Sequence, residues 1–592
     1  MLSQKMRCGG IARWARPSRR ITAVLAATIG LTAMAMQTSD VHIGEQPDGS
    51  ILVPTGQRLT PIGRWLKLMN ERPKDLVVSP DGSMIAALSP RRVTVFSSSG
   101  ELVAESKSGG GPLGIGWRPD GTAVYYSSGA NVMCMELGPN GFGTPRPIAV
   151  ELAGSKGPGQ PNDPQAAGLA VSPDGKRLFV ALGTRNAVAV VDPTGAAAPS
   201  SIPVGVCPYH VALSPDGRTL WVSNRGGSRV ASGRGTAKSA GTEVRVERAT
   251  DAAARGSVSV VDTGTLAVRE IPVGRQPAGL AFSRDGARVY VANSDSDSIS
   301  VIDAKRMRVI RTHHLSSRTT DFGHMPTGVA LSDDERTLYV SCGGSNAVGI
   351  VPLGSDGLPE RDAELALVPT AWFPIAIRTA GQSLWVACAK GFGSMGDLRQ
   401  GGRWVHASAG VVQLIKPDDM ADVPALTARV AMNNGWNAEL PARRGMAPVP
   451  VPERVGEPSV FRHVVYVIKE NHTYDMTLGD MKEGNGDPKL CLFGEEVTPN
   501  QHAIAREFVL LDNTYTSGTN SADGHQWTSS SVCNAYMEQN YSSYARSYPY
   551  DGGDPLAYSP KGFLWSAAAR SGLSVRVFGE FVNRPRIIDT QA

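Results

Sequence analysis

The side chains best suited to chemistry gather late in the chain. An apolar run, Val464-Val465-Tyr466-Val467-Ile468, is followed at once by Glu470, Asn471, His472 and Asp475. An acid beside an amide offers hard oxygen ligands to a divalent metal ion. The carboxyl end of a buried strand is where α/β sheets collect their ligands. From residue chemistry alone the same group serves equally well as helix caps and surface polarity. A second polar stretch, TYTSGTNSADGHQW at 514–527, is rich in Ser, Thr and Gly, and by composition it reads as a chain of turns.

Elements that could position these residues follow from the pattern of the chain. VVYVI is continuous rather than alternating, as expected of a strand buried on both faces of a parallel sheet. EFVLLDN at 507–513 is a second such strand, placed before the polar loop. Upstream lies a Pro-rich linker, assigned to 418–459, whose first part (ALTARVAMNNG) has helical character and whose remainder is extended and stiff.

Before the linker one phrase recurs seven times: an alternating strand, a Ser-Pro-Asp-Gly-type turn, then a second β-rich strand. Examples are RPKDLVVSPDGSMIAAL, CPYHVALSPDGRTLWVSN and QPAGLAFSRDGARVYVAN. Asp-Gly supplies tight hairpin geometry, and alternation marks strands with one buried face. A third strand follows in most copies, as in SVSVVDT at 257–263 and SISVIDA at 298–304. Repeats of this kind make the blades of a propeller. The early strand SILVPTG at 50–56 is expected to complete the last blade and leave no free edge. A Gly-, Ala- and Arg-rich insertion from about Arg225 to Arg255 is expected to be a flexible surface loop rather than a binding lid. A second Gly-rich insertion, Lys390 to Gly402, interrupts the seventh copy.

Composition bounds the function. The formal net charge is +5, from 59 basic and 54 acidic residues. Lys5, Arg7, Arg13, Arg16, Arg19 and Arg20 supply all of that excess, so the remainder lacks the basic surface a nucleic-acid partner needs. The same residues form the n-region of a targeting segment. An apolar run from Ile21 to Met36 and Ala33-Met34-Ala35 as a small-x-small cleavage site complete it. A signal peptide over 1–35 and export to the periplasm or beyond are expected. The run is short for a bilayer span, so no membrane span is expected once the leader is removed; an uncleaved anchor is the alternative. The six cysteines after Cys8 show no metal-type spacing. Cys342 and Cys388 read as small buried hydrophobes, while Cys491 and Cys533 could pair in an oxidising compartment.

Two resemblances add to this reading. The repeats, with WVSN at 221–224 and YVAN at 290–293, resemble the YVTN-repeat propeller family over residues 48–417. KENHTYD is similar to the ENR(S/T)(Y/F)D opening of the bacterial phosphoesterases that include acid phosphatases and phospholipases C, within the alkaline phosphatase superfamily. GDPKLCLFGEEVTPNQHAIAREFVLLDN, SADGHQW and GFLWSAAARSGLSVRVFGEF extend that resemblance over 460–592. The implied architecture is a seven-bladed β-propeller followed by a partial α/β alkaline-phosphatase-like domain. The resemblance implies that Glu470 and Asn471 are the first metal-binding pair. It further implies that Ser521 is the nucleophile, with Thr519 as runner-up, and that His525 contacts substrate. A bound divalent metal would lower the hydroxyl pKa and neutralise phosphoryl charge. The implied substrate is a phosphate-ester small molecule or lipid head group. Such domains typically draw further Asp and His ligands from far downstream, and nothing after Phe581 resembles those ligands. The site is therefore expected to be incomplete or inactive in this chain, and a non-catalytic propeller scaffold with a vestigial segment is the alternative. A redox propeller finds no haem-attachment motif to support it.

Overall fold

The computed structural model describes residues 42–581 and 586–588, apart from 153–160, 316–322, 362–363, 396, 398, 400–406, 437–440 and 541–545. The expected signal peptide lies outside the described residues, as does much of the second Gly-rich insertion. No helix among the described residues is long and apolar enough to cross a membrane.

Seven antiparallel sheets account for the repeats. Their innermost strands are Asp75–Val78, Ile115–Trp117, Ala166–Val171, Val206–Leu213, Pro277–Phe282, Pro326–Leu331 and Trp372–Ala380. Each touches the next in order, and the seventh touches the first, so the sheets close a ring. Six sheets have four strands, and the second carries a short extra one.

The repeated residues explain why the chain turns where it does. In five blades the Ser hydroxyl donates to the Asp carboxylate two residues on at 2.6 Å, for example Ser79 to Asp81 and Ser214 to Asp216. That hydrogen bond also holds the pKa of each Asp below its ordinary value. Gly82, Gly175, Gly217 and Gly286 follow at φ between 69° and 73°, a conformation that a side chain resists. The signature asparagines act at the opposite end. Asn224 donates to the Ser257 and Ser259 hydroxyls, and Asn293 to those of Ser298 and Ser300, tying second strands to third strands in the dry interior.

Ring closure differs from expectation. Residues 50–56 contribute instead to a small sheet of two-residue strands, Gly44–Glu45, Ile51–Leu52 and Arg58–Leu59. The strand that completes the seventh blade is Arg64–Met69, paired antiparallel with Ala409–Ile415. Its sequence, RWLKLM, alternates so that Leu66 and Leu68 meet the seam between blades 7 and 1, a pattern that SILVPTG lacks. The helix Val423–Asn433 then packs on the outer strand of the sixth blade, where the Thr427 hydroxyl accepts from the Leu367 amide at 2.9 Å.

The C-terminal region is small and mixed. It holds short helices, including Ser521–Ser530, Ala535–Asn540 and Leu564–Arg570, and a two-stranded ladder of Val575–Val577 with Arg586–Ile588. The expected α/β sheet is not formed by these residues. VVYVI and EFVLLDN lie outside every strand, with Val465 85% exposed and Val509 70% exposed. A strand buried on both faces needs neighbours on both edges and layers above and below, and the described residues supply neither. The Cys491–Cys533 pairing also fails. Both thiols are free, and Cys533 is buried against the propeller. Cys342 and Cys388 are buried as expected, and burial pushes both thiols up to about 12.

The closing strand and the unpaired apolar run make opposite predictions on truncation. Leu68→Ala empties a buried position and is expected to cost about 2–5 kcal/mol, whereas Val465→Ala is expected to stay within about 0.5 kcal/mol. Denaturant unfolding of both variants against the parent chain checks the contrast.

Candidate functional site

The candidate residues are placed by a clamp between the C-terminal region and one face of the ring. That upper face carries the starts of the innermost strands and the ends of the second strands. Arg72 and Lys74 precede the first blade, and Lys390 ends the second strand of the seventh. Helix Ala535–Asn540 sits over the axis among them. Its buried Glu538 accepts from the Lys390 ammonium at 2.6 Å and pairs with Arg72 at 3.7 Å. Lys74 donates to the Gln539 carbonyl at 2.7 Å. Desolvation, reinforced by neighbouring Arg72, drives the Lys74 pKa well below its ordinary value.

The insertion of the fourth blade, expected to be a flexible loop, is an ordered part of this clamp. It forms a hairpin, Thr236–Ser239 with Thr242–Arg245. Val244 and Ala253 join Val206 and Cys207 in an apolar cluster with Ala522, Cys533, Tyr536, Met537, Leu556 and Ala557. Arg225 lies 3.7 Å from the centre of the Tyr209 ring, faces Tyr536, and donates to the Gln539 side chain. Arg546 reaches the Ser239 hydroxyl at 2.8 Å and the Asn186 side chain at 2.8 Å. The insertion is ordered by these contacts with a distant segment, which its composition does not announce.

On this base stands helix Ser521–Ser530, directly after a loop whose Thr519 and Asn520 amides both donate to buried Asp523 at 2.9 Å. Ser521 is its first residue, where unpaired backbone N–H groups and the helix dipole favour an anion. His525 follows one turn later on the same face. Its Nε2 lies 3.3 Å from Glu470 and its Nδ1 3.0 Å from Glu580, which also accepts from the Ser529 hydroxyl at 2.7 Å. Two carboxylates thus fix the imidazole. Thr519 points elsewhere, with its hydroxyl 3.4 Å from the Arg72 guanidinium.

Of the sequence candidates, the structure brings together Ser521, His525 and Glu470. Asn471 is exposed beside Glu470 and joins no hydrogen bond described here. His472 stacks on Phe493 at 4.6 Å, and Asp475 accepts the Asp487 amide at 2.8 Å, both of them local structural roles. Glu580 and Glu538 were missed, because isolated acids carry no spacing signal; Asp523 was missed too, although its place three residues after Asn520 is that of a capping box. Nor do the expected metal ligands converge. The Glu470 side chain is 60% exposed and directed at His525. Among the described residues no group of three or more His, Cys, Asp or Glu is arranged to hold a metal ion. The donors present do not fit a divalent metal, and no chemical step can be routed through one here.

Residues 206–308 match the family model described as "Lactonase, 7-bladed beta-propeller". The seven sheets and the closing strand make the ring a seven-bladed β-propeller. Over residues 206–308 it is similar to the lactonase propellers. The match stops short of the C-terminal region and lends no support to a phosphoesterase domain there. Similar solved structures include a catalytically inactive virginiamycin B lyase from Staphylococcus aureus with quinupristin, 13% identical, covering 60% of this chain and 99% of that one with a TM-score of 0.41. The hydrazine synthase of Kuenenia stuttgartiensis is 18% identical, covering 64% and 98% with a TM-score of 0.42. No curated protein matches the chain.

The clamp carries a pH dependence. Asp295, on the fifth blade, accepts from Asn534 of the C-terminal region at 3.2 Å. Desolvation raises its pKa from 3.8 to about 7, against smaller opposing effects of Asn534 and Arg225. Between those values the native protein holds a proton that the unfolded chain has released, so stability falls as pH rises from about 4 to 7 and then levels. Asp295→Asn is expected to flatten that part of the profile, which urea unfolding at several pH values measures.

Proposed function

We propose that this chain is an exported propeller protein whose C-terminal region binds phosphate esters at the start of helix Ser521–Ser530 and turns them over weakly or not at all. The observation that carries this reading is the placement of Ser521 at the positive end of that helix, with His525 one turn along and fixed between Glu470 and Glu580. A phosphoryl oxygen there would meet helix amides and the imidazole, and the Ser521 hydroxyl would lie beside the phosphorus. The same hydroxyl stays mostly protonated without a metal or a general base in contact, which leaves binding without efficient displacement. The ligand class is a phosphate monoester or diester, including a lipid head group. The resemblance of KENHTYD and SADGHQW to metal-dependent phosphoesterases supports descent from such an enzyme.

A second reading is a non-catalytic scaffold, favoured by the upper face of the propeller being covered by the clamp. In that case residues 460–592 serve packing alone.

The test is an aryl phosphate assay joined to binding. The chain is expected to bind the aryl phosphate saturably and release the aryl group little or not at all, with or without added Mn²⁺ or Zn²⁺. Ser521→Ala and His525→Ala should weaken binding several-fold, and Thr519→Ala much less. Robust metal-dependent turnover would overturn the inactivity claim, and no binding by the parent chain would favour the scaffold.

A further inference from the structure

At the opposite end of the ring axis the innermost strands of all seven blades surround a chamber of about 550 Å³, open to the lower face. That is the size of a small-molecule site. Towards the middle of the ring the space contracts to about 10 Å³, at Leu113, Tyr209, Thr327 and Ile375, room for a single water at most. The chamber is therefore a cup that narrows towards the middle of the ring. Its wall carries the apolar side chains of Val77, Val171, Phe282 and Leu331 beside a comparable polar lining. Its floor is polar, formed by Asp75, His210 and Arg378, and nothing in the Ser521 reading uses it.

We propose that this chamber binds one small uncharged organic molecule carrying an oxygen-containing head on an apolar body. The floor is electrically balanced. Arg378 pairs with Asp75 at 3.1 Å, and the Asp75 carboxylate is held by the Leu76 and Gly114 amides at 2.8 and 3.2 Å. His210 faces Arg378 and stays neutral, its pKa lowered to about 3 by burial and then by that guanidinium. An ion entering this floor would bring an uncompensated charge into a desolvated place. A neutral head avoids that cost. The His210 Nδ1 atom is buried and has no hydrogen-bond partner among the described residues, a vacancy that a native interior rarely leaves. The His210 ring lines the floor, where it would meet a ligand hydroxyl or amide, and the Arg378 guanidinium, 29% exposed, lies in the same lining to meet the ligand oxygen. The apolar body would lie along the blade walls.

Benzyl alcohol, benzoate and benzylammonium share a body and differ in head charge, so calorimetric titration of the full chain with the three decides the matter. Benzyl alcohol is expected to bind at one site per chain, with both ions weaker by about ten-fold or more. Thr379→Trp, which fills the lower wall, should abolish binding. His210→Leu should weaken it by about ten-fold, with thermal midpoints close to that of the parent. Equal affinity for the three heads, retained binding in Thr379→Trp, or no saturable binding of the alcohol would each overturn the proposal. The head-group series on the unaltered chain decides the question even if a variant does not fold.

Discussion

The arrangement rests on one buried acid. Glu538 is removed from water together with Lys390 and Arg72, and each of these ions would be costly to bury alone. The seventh blade supplies Lys390 and the segment leading into the first supplies Arg72, so Glu538 bridges the seam at which the ring closes. The same helix contributes Tyr536 and Met537 to the apolar cluster on the fourth blade. A single short helix therefore fastens the C-terminal region at two places on the upper face. The position of Ser521, His525 and their carboxylates depends on that fastening, since helix Ser521–Ser530 is joined to it through a few residues and shares its cluster through Ala522.

The two ends of the ring axis consequently differ. Above, Lys390 and Arg72 share the Glu538 carboxylate and are covered by protein. Below, a balanced floor faces an open cup. Both follow from how inner strands run: each begins at the upper face, where charged residues such as Lys74 sit, and ends at a tight hairpin below, Ser-x-Asp-Gly in four of the blades, preceded by residues such as Val77 and Phe282.

The ring was legible because its signals are local and repeated. Ser79 to Asp81 and its counterparts each fix a turn within a few residues, and Asn224 and Asn293 act on the adjacent strand. The closing strand was misplaced, because the apolar run of SILVPTG drew the assignment while the alternation of RWLKLM, which fits the seam, was passed over. The insertion at Arg225 to Arg255 was misread for a different reason: its order comes from Tyr536, Gln539 and Arg546, some three hundred residues away. At the site, Ser521, His525 and Glu470 stood in recognisable motifs, and the fold sets His525 against Glu470 one helical turn from Ser521. Glu580 acts through tertiary contacts that no spacing announces, whereas Asp523 sits in the capping-box position three residues after Asn520 and was legible there. VVYVI and EFVLLDN show the converse limit, since a strand-like sequence forms no strand where no sheet receives it.

The central claim is that Glu538 holds the C-terminal region on the propeller. Hydrogen exchange of the Glu538→Ala chain, resolved along the sequence, tests it most directly. The account predicts that amides of Ser521–Ser530 and Ala535–Asn540 lose protection while the innermost strands of the blades keep theirs. Unchanged protection in those two helices would contradict it.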